Sequence, residues 1–553
     1  MSRHTICNYG SMKRLMLLII SASFFFACGN KKETGAEKES EKKSKKVSKR
    51  DLSITPANSY SDLFFDSAQL ITYFREKGVS DSLTRRMISF YNARNYSFAW
   101  FSSDGFTEPA RGFWNLHDYE RTYGSDTSLR DKSLEKTMDN LMTQESFSVN
   151  ASDKKFLETE LTLTRHFIQY ALHNIPDGYI KRKEMERFVP RKKEDVMYLA
   201  DSLLTKKHKD DKYYEDVNEP YRKLKEKLKI YFDIAKAGGW QEIPGKAADY
   251  KPGATGAGVL ALKRRLFLTG DMPAADTTPV YTEALASAIG NFQVRYGLSP
   301  TGKLTDALLK ELNVPAVDRV KQIMLNMGRM QWLIHQPEGK LIMVNIPEFK
   351  LHVMEGKNKV FDMDVVVGKD GHNTVIFTGN LNQVVFSPYW NVPPSIVKKE
   401  ILPAIEKNPN YLASQNMEIT GNEGALPSIR QLPGAGNSLG KVKFLFPNSF
   451  NIYFHDTPAK SLFGKDKRAF SHGCIRLAEP EKFANYLLKD DSDWNAERIR
   501  TAMDAGTERT VKLKKSVPVL ITYYTAWVDD AGMLHFAEDI YNHDKPVLEK
   551  MFY

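Results

Sequence analysis

Cysteine is nearly missing from this chain: there are three in 553 residues, at positions 7, 28 and 474. Two fall in the first thirty positions, so everything downstream carries one thiol and cannot form a disulfide of its own. Apolar runs are scarce too. The one at residues 15–27 is well short of the roughly twenty residues that span a bilayer as a helix. There is no acidic excess; the balance is basic, with 79 Lys and Arg against 68 Asp and Glu, or +11. Arg3, Lys13 and Arg14 supply +3 of this, and residues 31–50, with nine basic against four acidic side chains, supply +5. Only +3 remains for the other 503 residues. A nucleic-acid binder gathers its basic residues on a folded face, so no nucleic-acid partner is expected.

The basic pair Lys13-Arg14 in front of the apolar run 15–27 has the layout of a signal peptide. Phe25-Phe26-Ala27-Cys28 sets a small residue before a cysteine, like a bacterial lipobox, so residues 1–28 are expected to be removed or processed with Cys28 becoming lipid-modified. Residues 29–57 are Lys, Glu and Ser with almost no apolar side chains and read as a disordered charged tether.

At roughly 100–200 residues per domain, the length implies three or four domains. Residues 58–250 are mainly helical by pattern: Leu224, Leu228, Tyr231, Phe232 and Ala235 recur at helical spacing before Gly238-Gly239, and a similar stripe runs through 154–174. The aromatic cluster Tyr96, Phe98, Trp100 and Phe101 reads as core. Residues 252–314 contain three short amphipathic helices, GVLALKRRL, ALASAIGNFQVRYGL and TDALLKELN. Residues 297–303 match G-x-x-x-x-G-K, but Leu304 stands where a phosphate loop needs Ser or Thr and the preceding residues are helical, which excludes a nucleotide site. From 317 to 540 the pattern changes. LIMVNI, KLHVM, VFDMDVVV, QVVFS, FNIYF and VPVLITYY are short β-branched and aromatic runs between turns, the mark of a sandwich or barrel-like β domain. Within it, 392–440 is an insertion that reads as helical.

The chemistry concentrates in residues 455–477, HDTPAKSLFGKDKRAFSHGCIRL. A lone thiol at Cys474, a base at His455 or His472, and Gly473 beside the thiol are the inventory for nucleophilic acyl transfer. N–H groups around Gly473 and Cys474 can serve an oxyanion. Zinc held by His455, His472 and Cys474 is the competing reading, but the set lacks the paired spacing of such sites, so no metal is expected.

The stretch QLPGAGNSLG, KFLFPN, His455-Asp456-Thr457 and Ser471-His472-Gly473-Cys474-Ile475-Arg476 resembles the YkuD-type catalytic domain of the L,D-transpeptidases. RMQWL, VNIPEF and WNVPPSI extend the likeness to that family's large multidomain periplasmic members, and FQVRYGL with TGKLT is similar to a three-helix peptidoglycan-binding domain. The resemblance implies a multidomain α+β chain: a helical scaffold at 58–250, a peptidoglycan-binding domain at 252–314, and a mainly β catalytic domain at 317–540 with a capping insertion at 392–440. It implies Cys474 as nucleophile and His455 as base, oriented by the Asp456 carbonyl. His472 would bind the oxyanion, position substrate or exchange roles with His455. Arg476 would take a donor carboxylate, Ser471 would orient its neighbours, and Tyr453 and Trp390 would line the pocket. The implied reaction joins peptidoglycan stem peptides by 3-3 cross-links without a cofactor, in a periplasmic lipoprotein open to carbapenem-type inhibitors. A carboxypeptidase of the same fold and a non-catalytic wall anchor are the alternatives.

Overall fold

The computed structural model describes residues 47–124, 127–144, 146–174, 188–205, 218–333, 339–424 and 426–553. The signal peptide, Cys28 and most of the tether lie outside these residues. Where the tether was expected to continue, however, residues 47–57 are mostly exposed but anchored to the helical region. The Ser48 hydroxyl donates to the Ser89 carbonyl at 3.0 Å, Arg191 Nη1 donates to Asp51 Oδ2 at 2.5 Å, and Ile54 is fully buried. Asn92 and Asn95 add side-chain donors to the Ser48 and Ile54 carbonyls, both at 2.8 Å, so a stretch whose composition alone reads as solvated is tied down by polar contacts and one apolar side chain.

The helical region comprises Ser67–Lys77, Asp81–Ala93, Glu108–Tyr123, Lys132–Met142, Lys154–Asn174, Val196–Leu204 and Glu219–Lys236. Phe98, Trp100 and Phe101 are buried in its core beside Phe113 and Phe167. The turn that carries them is pinned by Glu160, whose carboxylate accepts the Ala99 and Trp100 N–H groups at 2.7 and 2.9 Å. Burial pushes that carboxyl up to about 7.

Helix Ala316–Met330 and Trp332 join this region to the β domain. Trp332 lies in the helical core, in the space left by Gly112, where a Cβ would come within 2.4 Å of the indole. Arg329 is buried between two carboxylates, with Nε 2.7 Å from Glu108 Oε1 and Nη1 2.7 Å from Asp544 Oδ1. Thr525 donates to the other Asp544 oxygen at 2.6 Å and accepts from Asn326 Nδ2 at 2.9 Å. The start of Glu108–Tyr123, the connecting helix and the C-terminal helix Asp544–Met551 thus meet at one cation. That last helix and the hairpin Ala526–Val528/Leu534–Phe536 were not foreseen in the sequence.

Among the described residues the main sheet of the β domain has nine strands: β1 Lys340–Asn345, β2 Lys350–Glu355, β3 Asn358–Gly368, β4 Thr378–Phe386, β5 Val442–Leu445, β6 Phe454–His455, β7 Ala469–Ser471, β8 Ile475–Leu477 and β9 Arg509–Thr522. Their order is β7-β3-β8-β6-β5-β4-β9-β1-β2, and β2 also pairs with β3, so the sheet closes on itself with β7 as a spur. Period-2 alternation turns Ile342, Val344, Leu351, Val353, Val365, Val367, Phe444, Phe454, Ile475 and Leu477 into one core. FNIYF is strand only at Phe454. Asn448 explains this: its Oδ1 accepts the Phe450 and Ile452 N–H groups at 3.0 and 3.2 Å, and Asn451 adopts φ 54°, so the preceding residues turn instead of pairing.

Residues 257–268, 283–295 and 306–312 are the three helices read in the 252–314 segment, packed around Leu262, Leu266, Ile289, Phe292, Leu308 and Leu312. They rest on the β domain. The Tyr296 ring is 5.7 Å from that of Phe536, and the Ser299 hydroxyl donates to Asp466 Oδ1 at 2.8 Å.

The insertion is only partly helical. After Pro394–Ile396, a π-helical turn Val397–Ile401 and helices Leu402–Lys407 and Tyr411–Ser414, it continues as strands Met417–Glu423 and Leu426–Gln431, which pair antiparallel. Trp390–Asn391 adds a third strand. Val392, Ile396, Val397, Ile401 and Ile429 form a small core separate from that of the barrel.

Candidate active site

Phe454 and Ile475 point into the barrel core, so their neighbours along the strands face the other way. β6 and β8 run parallel, with Phe454 opposite Ile475 and His455 opposite Arg476. The Ile475 N–H donates to the Tyr453 carbonyl at 3.2 Å. His455 and Arg476 therefore share one face, and Tyr453 and Cys474 immediately precede their two strands.

His455 is buried, and its Nδ1–H donates to the Asp456 carbonyl at 2.5 Å. This leaves Nε2 as the basic nitrogen. Asp456 is itself held. Its Oδ2 accepts the Lys441 N–H at 2.9 Å, and its Oδ1 accepts from Lys460 Nζ at 2.6 Å. Gly440, at φ 60°, permits that approach, since a Cβ there would lie 2.3 Å from Asp456 Oδ2. Burial, helped by the Arg476 cation, depresses the His455 imidazolium to about 3. An unfolded histidine titrates near ~6.5. Neutral His455 therefore contributes stability that is fully present above that pH and is lost as pH falls toward 3.

Cys474 is a free, half-buried thiol whose Sγ lies 3.6 Å from the Asn451 carbonyl. Burial pushes it up to about 11 against the hydrogen bonds from Tyr453, which favour the thiolate. Burial and the adjacent sulphur hold the Tyr453 phenol well above its usual range. Burial thus favours the uncharged form of both groups, thiol and imidazole. Alkylation of Cys474 by iodoacetamide is accordingly expected to rise steadily from pH 7 to 10 without a plateau, and more slowly in Tyr453→Phe. A plateau near neutrality would mean a preformed thiolate.

Ser471 organises the turn: its hydroxyl donates to the Cys474 carbonyl at 2.5 Å and accepts the Gly473 N–H at 3.2 Å. The Gly473 N–H is therefore engaged within the turn. Gly473 adopts φ 110°, a region costly to any other residue. Its carbonyl accepts from Thr374 Oγ1 at 2.8 Å. The Thr374 Oγ1 also accepts the Gly368 N–H at 2.9 Å, and Tyr541 donates to the Gly368 carbonyl at 2.5 Å. Neither Thr374 nor Tyr541 was read from the sequence, and no local motif marks them.

Arg476 is half-buried with its Nε lacking a hydrogen-bond partner. Burial lowers its pKa. His472 turns elsewhere, with Nε2 2.9 Å from Glu400 Oε1 on the insertion and its ring 4.8 Å from that of His372. Trp390 packs against the insertion's own core. Among the described residues no cluster of three or more His, Cys, Asp or Glu is placed to hold a metal, and no helix is long and apolar enough to cross a membrane.

A closed sheet thus carries a carbonyl-oriented imidazole on one strand and a free thiol directly before the neighbouring strand. Residues 339–518 match the family model for the YkuD L,D-transpeptidase catalytic domain. Residues 85–228 match a scaffold domain. A putative L,D-transpeptidase of Haemophilus influenzae is 30% identical over 222 residues, 37% of this chain and 45% of the relative, so the match spans less than half of that protein. Among solved structures, an L,D-transpeptidase from Stackebrandtia nassauensis is 14% identical, covering 50% of this chain and 97% of its own, at a TM-score of 0.21. One from Mycobacterium smegmatis is 13% identical, covering 33% and 58%, at 0.19.

Proposed function

We propose that this chain is a cysteine-dependent L,D-transpeptidase that forms 3-3 cross-links between peptidoglycan stem peptides. The observation that supports the reading is Cys474 directly before β8, which pairs with the β6 strand carrying His455, whose Nδ1 is fixed by the Asp456 carbonyl. Cys474 sulphur bonds to the carbonyl carbon of stem residue three, and its proton passes through His455 to the nitrogen of the departing D-Ala as that C–N bond breaks. A thioester remains. An amine from a second stem then attacks the same carbon, the C–S bond breaks, and the thiol is restored. No cofactor enters, because the thioester keeps the energy of the cleaved peptide bond. The partnerless Nε of Arg476 suits a bidentate contact with a donor carboxylate. Trp390 and Tyr453 line the approach, and residues 392–440 close over the thioester to delay water. The 252–314 helices hold glycan, and lipidated Cys28 anchors the protein in the periplasm.

Incubation with purified disaccharide tetrapeptides, followed by weighing the products, tests this reading. Cross-linked dimer with release of D-Ala is expected. Tripeptide alone would make the protein a carboxypeptidase, and unaltered substrate would leave only a wall anchor.

A further inference from the structure

The support of the reactive turn reaches past the residues matched by the catalytic-domain model, which end at 518. Tyr541, buried in the C-terminal segment, brings its phenol to the loop 368–374. The hydroxyl donates to the Gly368 carbonyl at 2.5 Å and accepts the Thr374 N–H at 3.3 Å, across 173 and 167 positions of chain. The loop doubles back tightly there, since a Cβ on Gly368 would collide with the His372 carbonyl and with the Thr374 nitrogen. So placed, the buried Thr374 hydroxyl donates to the Gly473 carbonyl at 2.8 Å.

Tyr541 is itself fixed. Its N–H donates to the Tyr523 hydroxyl at 3.0 Å, the two rings lie 5.7 Å apart, and the Tyr523 hydroxyl donates to Asp539 Oδ1 at 2.6 Å. The Asp539 carboxylate also accepts the His543 and Asp544 N–H groups, both at 2.8 Å. Asp544 is one of the two carboxylates around Arg329. A run of specific contacts therefore leads from the junction with the helical region to the carbonyl beside the thiol.

The Gly473–Cys474 peptide is planar, and its C=O and N–H point in opposite directions. The bond from Thr374 therefore sets the direction of the Cys474 N–H along with that of the carbonyl. Gly473, at φ 110° and without a Cβ, would otherwise leave that plane free to rotate. We propose that Tyr541 is a positioning residue for acylation: through Gly368 and Thr374 it holds this peptide plane so that the Cys474 N–H faces the oxygen on which charge develops. The inference rests on the transpeptidase reading. As the Cys474 sulphur bonds to the substrate carbonyl carbon, the thiol proton passes to His455 and the carbonyl π pair moves onto oxygen. An N–H already aimed there stabilises that charge without reorganising. Alkylation of the same thiol by iodoacetamide displaces iodide and puts no charge on a carbonyl oxygen, so it does not use this N–H.

The test compares the parent with Tyr541→Phe, Thr374→Val, Thr374→Ser and the double variant of the first two, each checked as folded by urea unfolding. Carbapenem acylation is followed over a range of concentrations, and iodoacetamide alkylation is measured beside it. Tyr541→Phe and Thr374→Val are each expected to lower the limiting acylation rate about tenfold or more, with the half-saturating concentration and the alkylation rate within about threefold of the parent. Thr374→Ser, which keeps the hydroxyl, should acylate within about threefold of the parent. Because both side chains act on one peptide, the double variant should be at most about threefold slower than the slower single, whereas independent losses would multiply to about a hundredfold. An unchanged limiting rate in either single variant, alkylation falling in step with acylation, Thr374→Ser as slow as Thr374→Val, or losses that multiply would each overturn the proposal. A parent that takes no carbapenem and releases no D-Ala would overturn the transpeptidase reading, and this proposal with it.

Discussion

Cys474→Ala is expected to abolish turnover on disaccharide tetrapeptides and to eliminate the carbapenem adduct, leaving the protein folded. Removing a nucleophile commonly costs about four or more orders of magnitude in kcat. The fold should survive because the anchors of this segment lie elsewhere. Ile475 and Leu477 fill the barrel core, and Ser471 and Thr374 hold the turn through the Cys474 and Gly473 carbonyls, which the substitution leaves untouched. Cys474→Ser should be nearly as inactive. The thiol already resists ionisation at a site where burial pushes it up to about 11, and a hydroxyl there would be harder still to deprotonate. Intact mass should show one adduct on the parent and none on the alanine variant. Turnover retained by a folded Cys474→Ala protein would place the nucleophile elsewhere.

Arg329→Ala should give the largest loss of stability of any single surface-distant substitution proposed for this chain. It removes the cation shared by Glu108 and Asp544 and leaves two carboxylates with little access to water. Breaking a buried ion pair from one side costs about 3–5 kcal/mol, because the partner charge stays behind uncompensated. Arg222→Ala, which breaks an exposed pair with Glu226, is the control and should cost at most about 1 kcal/mol. Urea unfolding followed by tryptophan fluorescence reads both, since Trp332 lies in the helical core beside this junction. Replacing Arg329, Glu108 and Asp544 together by apolar residues should recover much of the loss. A single-variant midpoint no lower than that of the control would show that the junction is held by apolar packing alone.

The parts legible in the sequence were those governed by local pattern. Strand alternation marked the barrel, helical stripes marked the N-terminal region, and Trp100 and its neighbours were correctly read as core. The turn before His455 was misread because FNIYF is a strong strand pattern, and only Asn448, bonding to Phe450 and Ile452, diverts it. The Met417–Glu423 and Leu426–Gln431 hairpin was missed because the prolines and charged residues ahead of it dominated the reading of the insertion. Around the thiol, sequence brought His455, Ser471 and Gly473 to notice through adjacency or motif. Thr374 and Tyr541 support the turn that holds it only through the closed sheet, across separations that no window of sequence spans.

The pairing of β9 sets the order in which the chain can fold. β9 lies between β4 and β1, and the Thr522 hydroxyl donates to the Val344 carbonyl, 178 positions earlier. Until β9 has been made, β1 and β4 each present an open edge, and the cylinder cannot close around the core that both strands help to line. Contacts of such long range are slow to form and leave unpaired strands exposed meanwhile. The reactive turn, although complete in sequence well before residue 509, therefore waits for the last long strand to be made before its own support is finished.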